Sequence, residues 1–397
     1  MPSAYESNQI VFGSQLEHAG SSVAMSSNVI AVGFKEANSM LTDKTGLVRV
    51  YKRNDGDTNN TYTPLGQDLF GRASGDEFGA SVSISNDGMR VVVGSRSFSS
   101  SSDMQKNGEV TIFQYSNISD SWTQMGSSIQ GDAEKDRLGW SVSMSGNGNR
   151  MAVGAPRANG GTGSVTIYEY NGTEWRLLAS VNGDENGDRA GFSMSLSNDG
   201  STIAIGAFTS SLEGLANSGR VDIYQIVQQG SSDEYPLSLV KQGQTIVGST
   251  AGSQLGYSVA MSGDGTRVGI GSNGYSTSNI TRAGLCEVYE FQEQSWSKTG
   301  YLIGEEENEE TGLHVAISSS GNLVGCSKNT FEQGAVTILE EGREGWKMKD
   351  TVASSLDAAA SFGMAVSLSQ YGNTIVAGAP SFNSSAGFFE VFSKEEF

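Results

Sequence analysis

A short phrase recurs along the whole chain and constrains the fold more than any other feature. It has the form Gly-x-Ser-Val-x-x-Ser, with some substitutions, and its glycine stands at Gly20, Gly79, Gly139, Gly191, Gly256, Gly312 and Gly363. The steps between these glycines are 59, 60, 52, 65, 56 and 51 residues. A recurring period of this size is typical of a repeat architecture. Seven copies cover the 397 residues, which leaves no room for a separate catalytic domain.

Each copy predicts a β-hairpin followed by two more strands. In the second copy, residues 81–85 alternate small and apolar side chains, residues 86–88 read Asn-Asp-Gly, and an apolar run follows at 91–94. Strand alternation around such a turn predicts a hairpin. A third strand opens on a glycine in every copy, from Gly46 through Gly387. A fourth begins at an aromatic residue in six copies, at Tyr62, Trp122, Trp175, Tyr235, Trp296 and Trp346.

The seventh copy stops at Phe397 after its third strand, while residues 9–13 have the spacing of an unassigned fourth strand. Four antiparallel strands in seven copies therefore predict an all-β fold, a seven-bladed β-propeller whose last blade is closed by the N-terminal strand. We expect residues 1–397 to form a single propeller domain, in which residues 1–19 complete the last blade. Closure removes the exposed sheet edges of an open array.

The second copy also carries the residues of a known repeat. Phe78-Gly79, the Asn-Asp-Gly turn and the run Val-Val-Val-Gly at 91–94 resemble the FG-GAP repeat of integrin α-subunit-like propellers, and residues 151–156 and 375–380 resemble its second half. This resemblance implies binding and adhesion, frequently at cell surfaces and as one module of a longer protein. Integrin-type members carry a calcium loop between the first two strands. The turn at 86–88 is too short for one, so we do not expect that site here.

Charge and composition narrow the classes of partner. The chain has 25 basic and 44 acidic residues, a net charge of −19, which repels nucleic acid and anionic lipid. No stretch approaches the roughly 20 apolar residues needed to cross a bilayer, so direct membrane insertion is not expected. No signal peptide is visible at the start of the sequence. Cys286 and Cys326 make no disulfide framework, and we expect two unpaired buried thiols.

An acidic residue recurs three positions before the repeat glycine, at Glu17, Asp76, Asp136, Asp188 and Glu309, with Ser253 and Ala360 in the other two copies. One hypothesis is a ring of carboxylates at a mouth of the central channel, able to bind a divalent cation or a basic partner. The alternative is that each acid caps its own turn. The sequence predicts no required cofactor, and calcium is the divalent cation that these acidic loops would bind. Alternating ligands for it stand at Asp132, Glu134 and Asp136, and at Asp184, Asn186 and Asp188.

Other candidate residues lie in the strand connections. The aromatic residues of the second-to-third connections either contact a ligand or shield a blade edge: Phe98, Phe208, Tyr275, Phe331 and Phe382. The chain has two histidines, His18 and His314. His314 takes an inner-strand position held by serine in five copies, so we expect a packed, hydrogen-bonded side chain near the channel and keep it as a candidate ligand-binding residue. No motif pairs either histidine with a nucleophile.

Five Asn-x-Ser/Thr triplets fall in predicted loops, at Asn59, Asn117, Asn171, Asn279 and Asn383. They would suit glycosylation and favour an extracellular or cell-surface location. The leading hypothesis is a non-enzymatic binding or adhesion module that presents loops on one face to a protein or glycan partner. Two alternatives stay open: a carbohydrate-active propeller enzyme that uses acids from several blades, and a structural subunit of a larger assembly.

Overall fold

The computed structural model describes residues 5–38, 44–57, 59–228, 237–329, 333–356, 359 and 361–394. These residues form seven antiparallel sheets, each with four strand positions, arranged as the blades of a β-propeller. The predicted fold is confirmed. Tyr235, Phe331 and Ala360, which the sequence analysis named, lie outside the described residues.

The strands occupy equivalent positions in the seven blades. The first, innermost strands are β2 (Ala19–Met25), β7 (Phe78–Ile84), β12 (Ser141–Met144), β16 (Ser193–Leu196), β21 (Ser258–Met261), β25 (Val315–Ile317) and β29 (Ala365–Leu368). The second strands are β3 (Val29–Phe34), β8 (Arg90–Ser95), β13 (Arg150–Ala155), β17 (Thr202–Ala207), β22 (Arg267–Ser272), β26 (Leu323–Lys328) and β30 (Thr374–Ala379). The third strands are β4 (Leu47–Arg53), β9 (Glu109–Ser116), β14 (Ser164–Tyr170), β18 (Arg220–Gln228), β23 (Leu285–Gln292), β27 (Ala335–Gly342) and β31 (Phe388–Lys394).

The fourth, outer position holds one strand in four blades and two short strands in three. These strands are β5 (Tyr62–Pro64) with β6 (Leu69–Phe70), β10 (Ser121–Gln124) with β11 (Ile129–Gln130), β15 (Trp175–Asn182), β19 (Leu237–Lys241) with β20 (Ile246–Val247), β24 (Ser295–Ile303), β28 (Gly345–Ala353) and β1 (Tyr5–Phe12). Two helical turns, α1 (Ala158–Gly161) and α2 (Phe382–Ser385), lie in second-to-third connections.

The N-terminal strand closes the seventh blade, as predicted. In the antiparallel ladder between β1 and β31, Ile10 is opposite Glu390 and Val11 is opposite Phe389. The Tyr5 side chain is buried, and its hydroxyl donates a hydrogen bond to the carbonyl of Gly372 at 2.6 Å. The Ser7 hydroxyl donates to the buried Glu390 carboxylate at 2.6 Å. The first and last strands that the structure describes are therefore held in one sheet.

Adjacent blades approach each other through glycine. A Cβ on Gly154, at the end of β13, would lie 2.2 Å from the carbonyl oxygen of Gly191 in the next blade, well inside any allowed contact. The second-strand glycine meets the next repeat glycine in six blade pairs: Gly33 with Gly79, Gly94 with Gly139, Gly154 with Gly191, Gly206 with Gly256, Gly271 with Gly312, and Gly378 with Gly20. Only a residue without a side chain allows this approach. The sixth blade has Ser327 at this position.

Serine hydroxyls bridge the same interfaces. Ser141 donates to the carbonyl of Gly191 at 2.7 Å, and in the same blade the Ser143 hydroxyl accepts the N–H of Leu196 at 2.9 Å. The first of these bonds repeats from Ser22, Ser81, Ser193 and Ser258 to Gly79, Gly139, Gly256 and Gly312. The repeated serines therefore supply hydrogen bonds between blades, which accounts for a part of the high serine content (60 of 397 residues).

The aromatic residue at the start of the fourth strand packs on the preceding blade. The indole N–H of Trp122 donates to the carbonyl of Leu65 at 2.8 Å, and its ring covers Gly66, where a Cβ would lie 2.9 Å from the indole. Gly66 has a φ of 70°, and it separates the two short outer strands of the first blade. Trp175 and Trp296 repeat the indole hydrogen bond to the carbonyls of Met125 and Gln242.

Seven apolar clusters fill the seven interfaces between blades. The cluster between the fifth and sixth blades has the fewest buried residues in the described part of the chain, and it contains Cys286 and Cys326. These cysteines form a disulfide with a Cα–Cα distance of 6.2 Å. The expected burial of both side chains is correct, but the expectation of free thiols is wrong. The pairing follows from blade packing, which places β23 beside β26.

Removal of residues 1–12 should destabilise the whole ring, because the seventh blade loses its outer strand and the buried Tyr5 side chain. Burial of one large side chain alone contributes about 1.5–3 kcal/mol, and the uncovered edge of β31 favours association. We expect a lower melting temperature in calorimetry and larger species in light scattering. A chain that lacks only residues 1–4 serves as the control. An unchanged melting temperature after removal of residues 1–12 would contradict closure by β1.

The substitution Gly154→Ala should lower the free energy of unfolding by about 1–3 kcal/mol, the usual range for an overpacked core, because the new methyl group meets the backbone carbonyl of Gly191. Urea unfolding measures the change. Gly342→Ala is the matched control, since the nearest atom to its Cβ, other than its chain neighbours, lies 3.7 Å away. Equal stability of the two variants would show that the glycine contact is not required.

Candidate functional site

A cavity of about 390 Å³ lies at the centre of the ring, and residues at the start of the first strands of all seven blades line it. One residue from each blade follows directly after the repeat glycine: Ser21, Ala80, Trp140, Phe192, Tyr257, Leu313 and Met364. These residues lie where the connection from the preceding fourth strand enters the blade. The cavity therefore opens towards the face that carries the variable loops.

Aromatic residues occupy one side of this mouth. The ring centroids of Trp140 and Phe192 are 5.3 Å apart, and those of Phe192 and Tyr257 are 5.1 Å apart. Phe208, from a second-to-third connection, lies 4.3 Å from Phe192 and 5.2 Å from Tyr257. We call Trp140, Phe192, Phe208 and Tyr257 the aromatic crescent. Such tilted contacts are favourable for aromatic pairs.

The crescent is confined to the third, fourth and fifth blades. The equivalent residues of the first and second blades are Ser21 and Ala80, which have small side chains. Leu313 and Met364 continue the apolar lining through the sixth and seventh blades. The repeat therefore supplies a symmetric frame, and the residue after each glycine makes the mouth one-sided.

Arginine residues gather above the crescent. The guanidinium of Arg96 lies 4.4 Å from the ring centroid of Trp140, and that of Arg137 lies 5.6 Å from the same centroid. Arg96 pairs with Glu77 at 2.6 Å. Burial lowers the pKa of Arg137, and the charges of Arg157 and Arg96 lower it further. Among the described residues, no carboxylate forms an ion pair with Arg137 or Arg157.

His314 lines the cavity, as its inner-strand position predicts. Its backbone N–H donates to the Ser327 hydroxyl at 2.7 Å, but Nδ1 of its ring is buried and has no hydrogen-bond partner in the described part of the chain. The expectation of a hydrogen-bonded side chain is therefore wrong for this nitrogen. Burial lowers the pKa of His314 to about 4, so the imidazole is neutral at pH 7.

The five recurrent acids act as turn caps. Each carboxylate accepts a backbone N–H of its own connection: Glu17 from Ser14, Asp76 from Ala73, Asp136 from Ala133, Asp188 from Asp184 and Glu185, and Glu309 from Glu305 and Glu306. Burial raises the pKa of Asp76 and of Asp136, and the N–H donors oppose that shift. None of the five, all of which the structure describes, lines the cavity. The capping interpretation accounts for these contacts, and a ligand-binding role stays a prediction.

The two loops with alternating acids differ from each other. Asp184 and Asp188 both form ion pairs with the buried guanidinium of Arg220, which supplies the positive charge that a cation would bring. In the other loop, Asp132 is exposed and Glu134 pairs with Lys135 at 2.6 Å. In the described part of the chain, no three His, Cys, Asp or Glu side chains are grouped to hold a metal ion. Asn186 is exposed. Calcium binding stays a prediction.

The asparagines of all five Asn-x-Ser/Thr triplets are exposed: Asn59, Asn117, Asn171, Asn279 and Asn383. In the segments that the structure describes, no helix has the length and apolar character that a bilayer crossing requires. Among the aromatic residues named from the sequence, Phe208 belongs to the crescent, Phe98 is buried, and Phe382 packs on Phe388 at 5.0 Å. Tyr275 is half-buried.

The sequence analysis missed Trp140, Phe192 and Tyr257, and it missed the arginines above them. A signal for the three aromatic residues exists, because the position after each repeat glycine varies from serine to tryptophan while its neighbours repeat. Arg137 also carries a signal, because Arg189 stands at the equivalent position of the next connection, two residues before Gly191. No comparable signal marks Arg96.

A scan against models of protein families finds no match, and a search of curated proteins finds no match either. The seven-bladed fold therefore rests on the structure itself, and membership of the FG-GAP family stays a prediction that rests on the residues of the repeat.

The substitution His314→Ser should flatten the dependence of stability on pH. In the unfolded chain the pKa of His314 is near 6.5, and in the folded protein it is about 4. Above pH 6.5 the buried neutral imidazole therefore makes its full contribution to the free energy of unfolding. As the pH falls towards 4, the unfolded chain binds a proton that the folded protein does not, and the free energy of unfolding drops by at most about 3 kcal/mol. Urea unfolding at pH 7 and pH 4.5 measures this loss. His18 remains in both proteins as an internal control. The same pH dependence in both would contradict this assignment.

Proposed function

We propose that this protein is a non-enzymatic binding module that receives a protein or glycan partner at the loop-bearing mouth of its central cavity. The observation that carries the proposal is the aromatic crescent, which lies on one side of an open cavity of about 390 Å³. Trp140, Phe192 and Tyr257 are half-buried and line the cavity, and the buried Phe208 supports them. Half-buried aromatic residues around a concavity are typical of ligand sites. The ring scaffold holds them in place before a partner arrives, which lowers the cost of binding.

The lining of the cavity favours binding over glycoside cleavage. A carbohydrate-active enzyme would need a pair of carboxyl groups beside the substrate. Among the described residues that line the cavity there is no aspartate or glutamate, and the charged or titratable side chains there are Arg96, Tyr257 and His314. The recurrent acids hold backbone N–H groups of their own turns. An enzymatic role would therefore have to use another surface.

An extracellular or cell-surface setting is part of the proposal. It is supported by the five exposed Asn-x-Ser/Thr triplets and by the disulfide between Cys286 and Cys326, which suits an oxidising compartment. The alternative of a structural subunit has weaker support. Large apolar side chains are exposed on the outer strands of six blades, at Phe12, Phe70, Leu177, Val240, Tyr301 and Met348, but only one stands on each of these strands.

An array of glycans and peptides tests the proposal. We expect the intact ring to bind a subset of the array, and the double substitution Trp140→Ala with Phe192→Ala to weaken that binding by about tenfold or more, because hot-spot aromatic residues contribute 2 kcal/mol or more each. The second blade has Ala80 at the equivalent position, so the frame accommodates alanine there. Tyr301→Ala, on the outer strand β24, is the matched control.

The expected control result is unchanged binding by Tyr301→Ala. Binding that survives in the double variant, or that disappears in the control, would place the partner elsewhere and contradict the proposal. A lack of binding to every member of the array would also contradict it and would favour a structural subunit.

A further inference from the structure

We infer that the mouth of the cavity takes a protein segment in which a carboxylate stands next to an apolar side chain. Arg96 and Arg137 would receive the carboxylate, and the aromatic crescent would receive the apolar side chain. This inference rests on the proposed function and narrows it to one class of partner.

The first argument is local charge. The chain as a whole has a net charge of −19, yet three arginines come together here: burial lowers the pKa of Arg137, and the charges of Arg157 and Arg96 lower it further, while Glu77 acts against them. The nearby carboxylate of Glu77 is already occupied, since it accepts hydrogen bonds from Arg96 at 2.6 Å and from the Ser97 hydroxyl at 2.8 Å. The cluster therefore has an excess of positive charge that a bound anion would neutralise.

The second argument is an unpaired donor. Nε of Arg137 is buried and has no hydrogen-bond partner among the described residues. A buried donor without an acceptor is costly, and the cost is larger for a charged group. Carboxylates match the planar guanidinium group, often with two parallel hydrogen bonds. Nε itself stays covered, but a carboxylate at the accessible edge of the half-buried Arg137 guanidinium would stabilise the charge that this unpaired donor carries.

The third argument is the orientation of the guanidinium groups. Arg96 lies 4.4 Å and Arg137 lies 5.6 Å from the centroid of the Trp140 ring. Contact with an aromatic ring fixes a guanidinium while its N–H groups stay available at the edge. Burial raises the pKa of Tyr257, Glu310 raises it further, and Arg96 acts against both. The Arg96 charge therefore acts on the Tyr257 side of the crescent as well.

The polar groups of the lining favour a peptide over a sugar. A sugar would bring many hydroxyl groups, each of which needs a partner when it leaves water. The hydroxyl hydrogens of the lining serines are already committed to glycine carbonyls of the next blade, at Ser22, Ser81, Ser141, Ser193 and Ser258. Valine, methionine, leucine and alanine side chains form most of the rest. A peptide segment with an apolar side chain and one neighbouring carboxylate needs only an apolar lining and a positive group, and the mouth has both.

The size of the cavity agrees with that choice. Its volume of about 390 Å³ is near the lower end of the usual range for ligand pockets, about 300–1,000 Å³. It can receive one or two side chains rather than a folded domain or a long oligosaccharide. A basic side chain would meet the arginine cluster and be repelled.

Fluorescence anisotropy with a labelled seven-residue peptide tests the inference. The probe has capped ends and a central phenylalanine–aspartate–phenylalanine flanked by glycine and serine, and its matched control has asparagine in place of aspartate. We expect the aspartate peptide to bind about tenfold more tightly, as one charge-assisted hydrogen bond provides. Arg137→Gln should remove most of this preference. Arg176→Gln changes an exposed arginine on the outer strand of the third blade, which pairs with Glu174, and should keep the preference.

Thermal unfolding first checks that the arginine variants fold. Arg96→Gln is a second variant with the same expectation, in case Arg137→Gln does not fold. Equal affinity for the two peptides, a preference that persists in both arginine variants, or no binding of the aspartate peptide at millimolar concentration would each overturn the inference. Tighter binding of an oligomer of glucuronic acid would overturn it in favour of a glycan.

The same measurements separate this inference from the proposed function. If both peptides bind equally and the variant Trp140→Ala with Phe192→Ala binds neither, the mouth is the binding site but the carboxylate is not recognised. If that double variant binds both peptides as the wild type does, the proposed function and the inference both fail.

Discussion

The close approach of glycine to glycine between neighbouring blades is the constraint on which the rest of the structure depends. At six of the seven interfaces a second-strand glycine faces the carbonyl of the next repeat glycine, at a distance where no Cβ can be placed. This approach brings the serine hydroxyls of the first strands within hydrogen-bonding distance of the next blade. It also sets the diameter of the ring, because the first strands surround the central cavity at the spacing that the glycines allow.

The site arises because this constraint leaves one position free in each blade. The residue after the repeat glycine lines the cavity but does not take part in the glycine-to-glycine contact between blades. It is serine or alanine in the first two blades and tryptophan, phenylalanine or tyrosine in the next three. A ring of nearly identical units can therefore carry an asymmetric site without a change in its packing. The arginines above the crescent come from connections, where sequence variation is also tolerated.

Much of the fold could be predicted from the sequence, because its signals are local. The Asn-Asp-Gly turn, the alternating first strand and the aromatic start of the fourth strand each lie within one copy. The unassigned strand at residues 9–13 could be assigned to the last blade because that copy lacks one.

Features that depend on two copies could not be predicted. No pattern in the sequence pairs Cys286 with Cys326, which are 40 residues apart. The two guanidinium groups over Trp140 belong to different connections. The split outer strands follow from glycines such as Gly66, whose role appears only when the next blade packs on it. The acids were visible in the sequence, but whether they bind a ligand or cap a turn depends on backbone N–H groups that the sequence does not display.

The closing strand has a consequence for the order of biosynthesis. Tyr5 to Phe12 leave the ribosome before any other strand of the ring, yet their partner is β31, almost four hundred residues later. During translation the earlier blades can pack against one another in order of synthesis. β1 stays unpaired until its partner strand β31 has left the ribosome. Pairing at such separation is slow and leaves intermediates open to misassembly. Until β31 has been synthesised, the ring is therefore open, and its unpaired strand edges are accessible to chaperones during that interval.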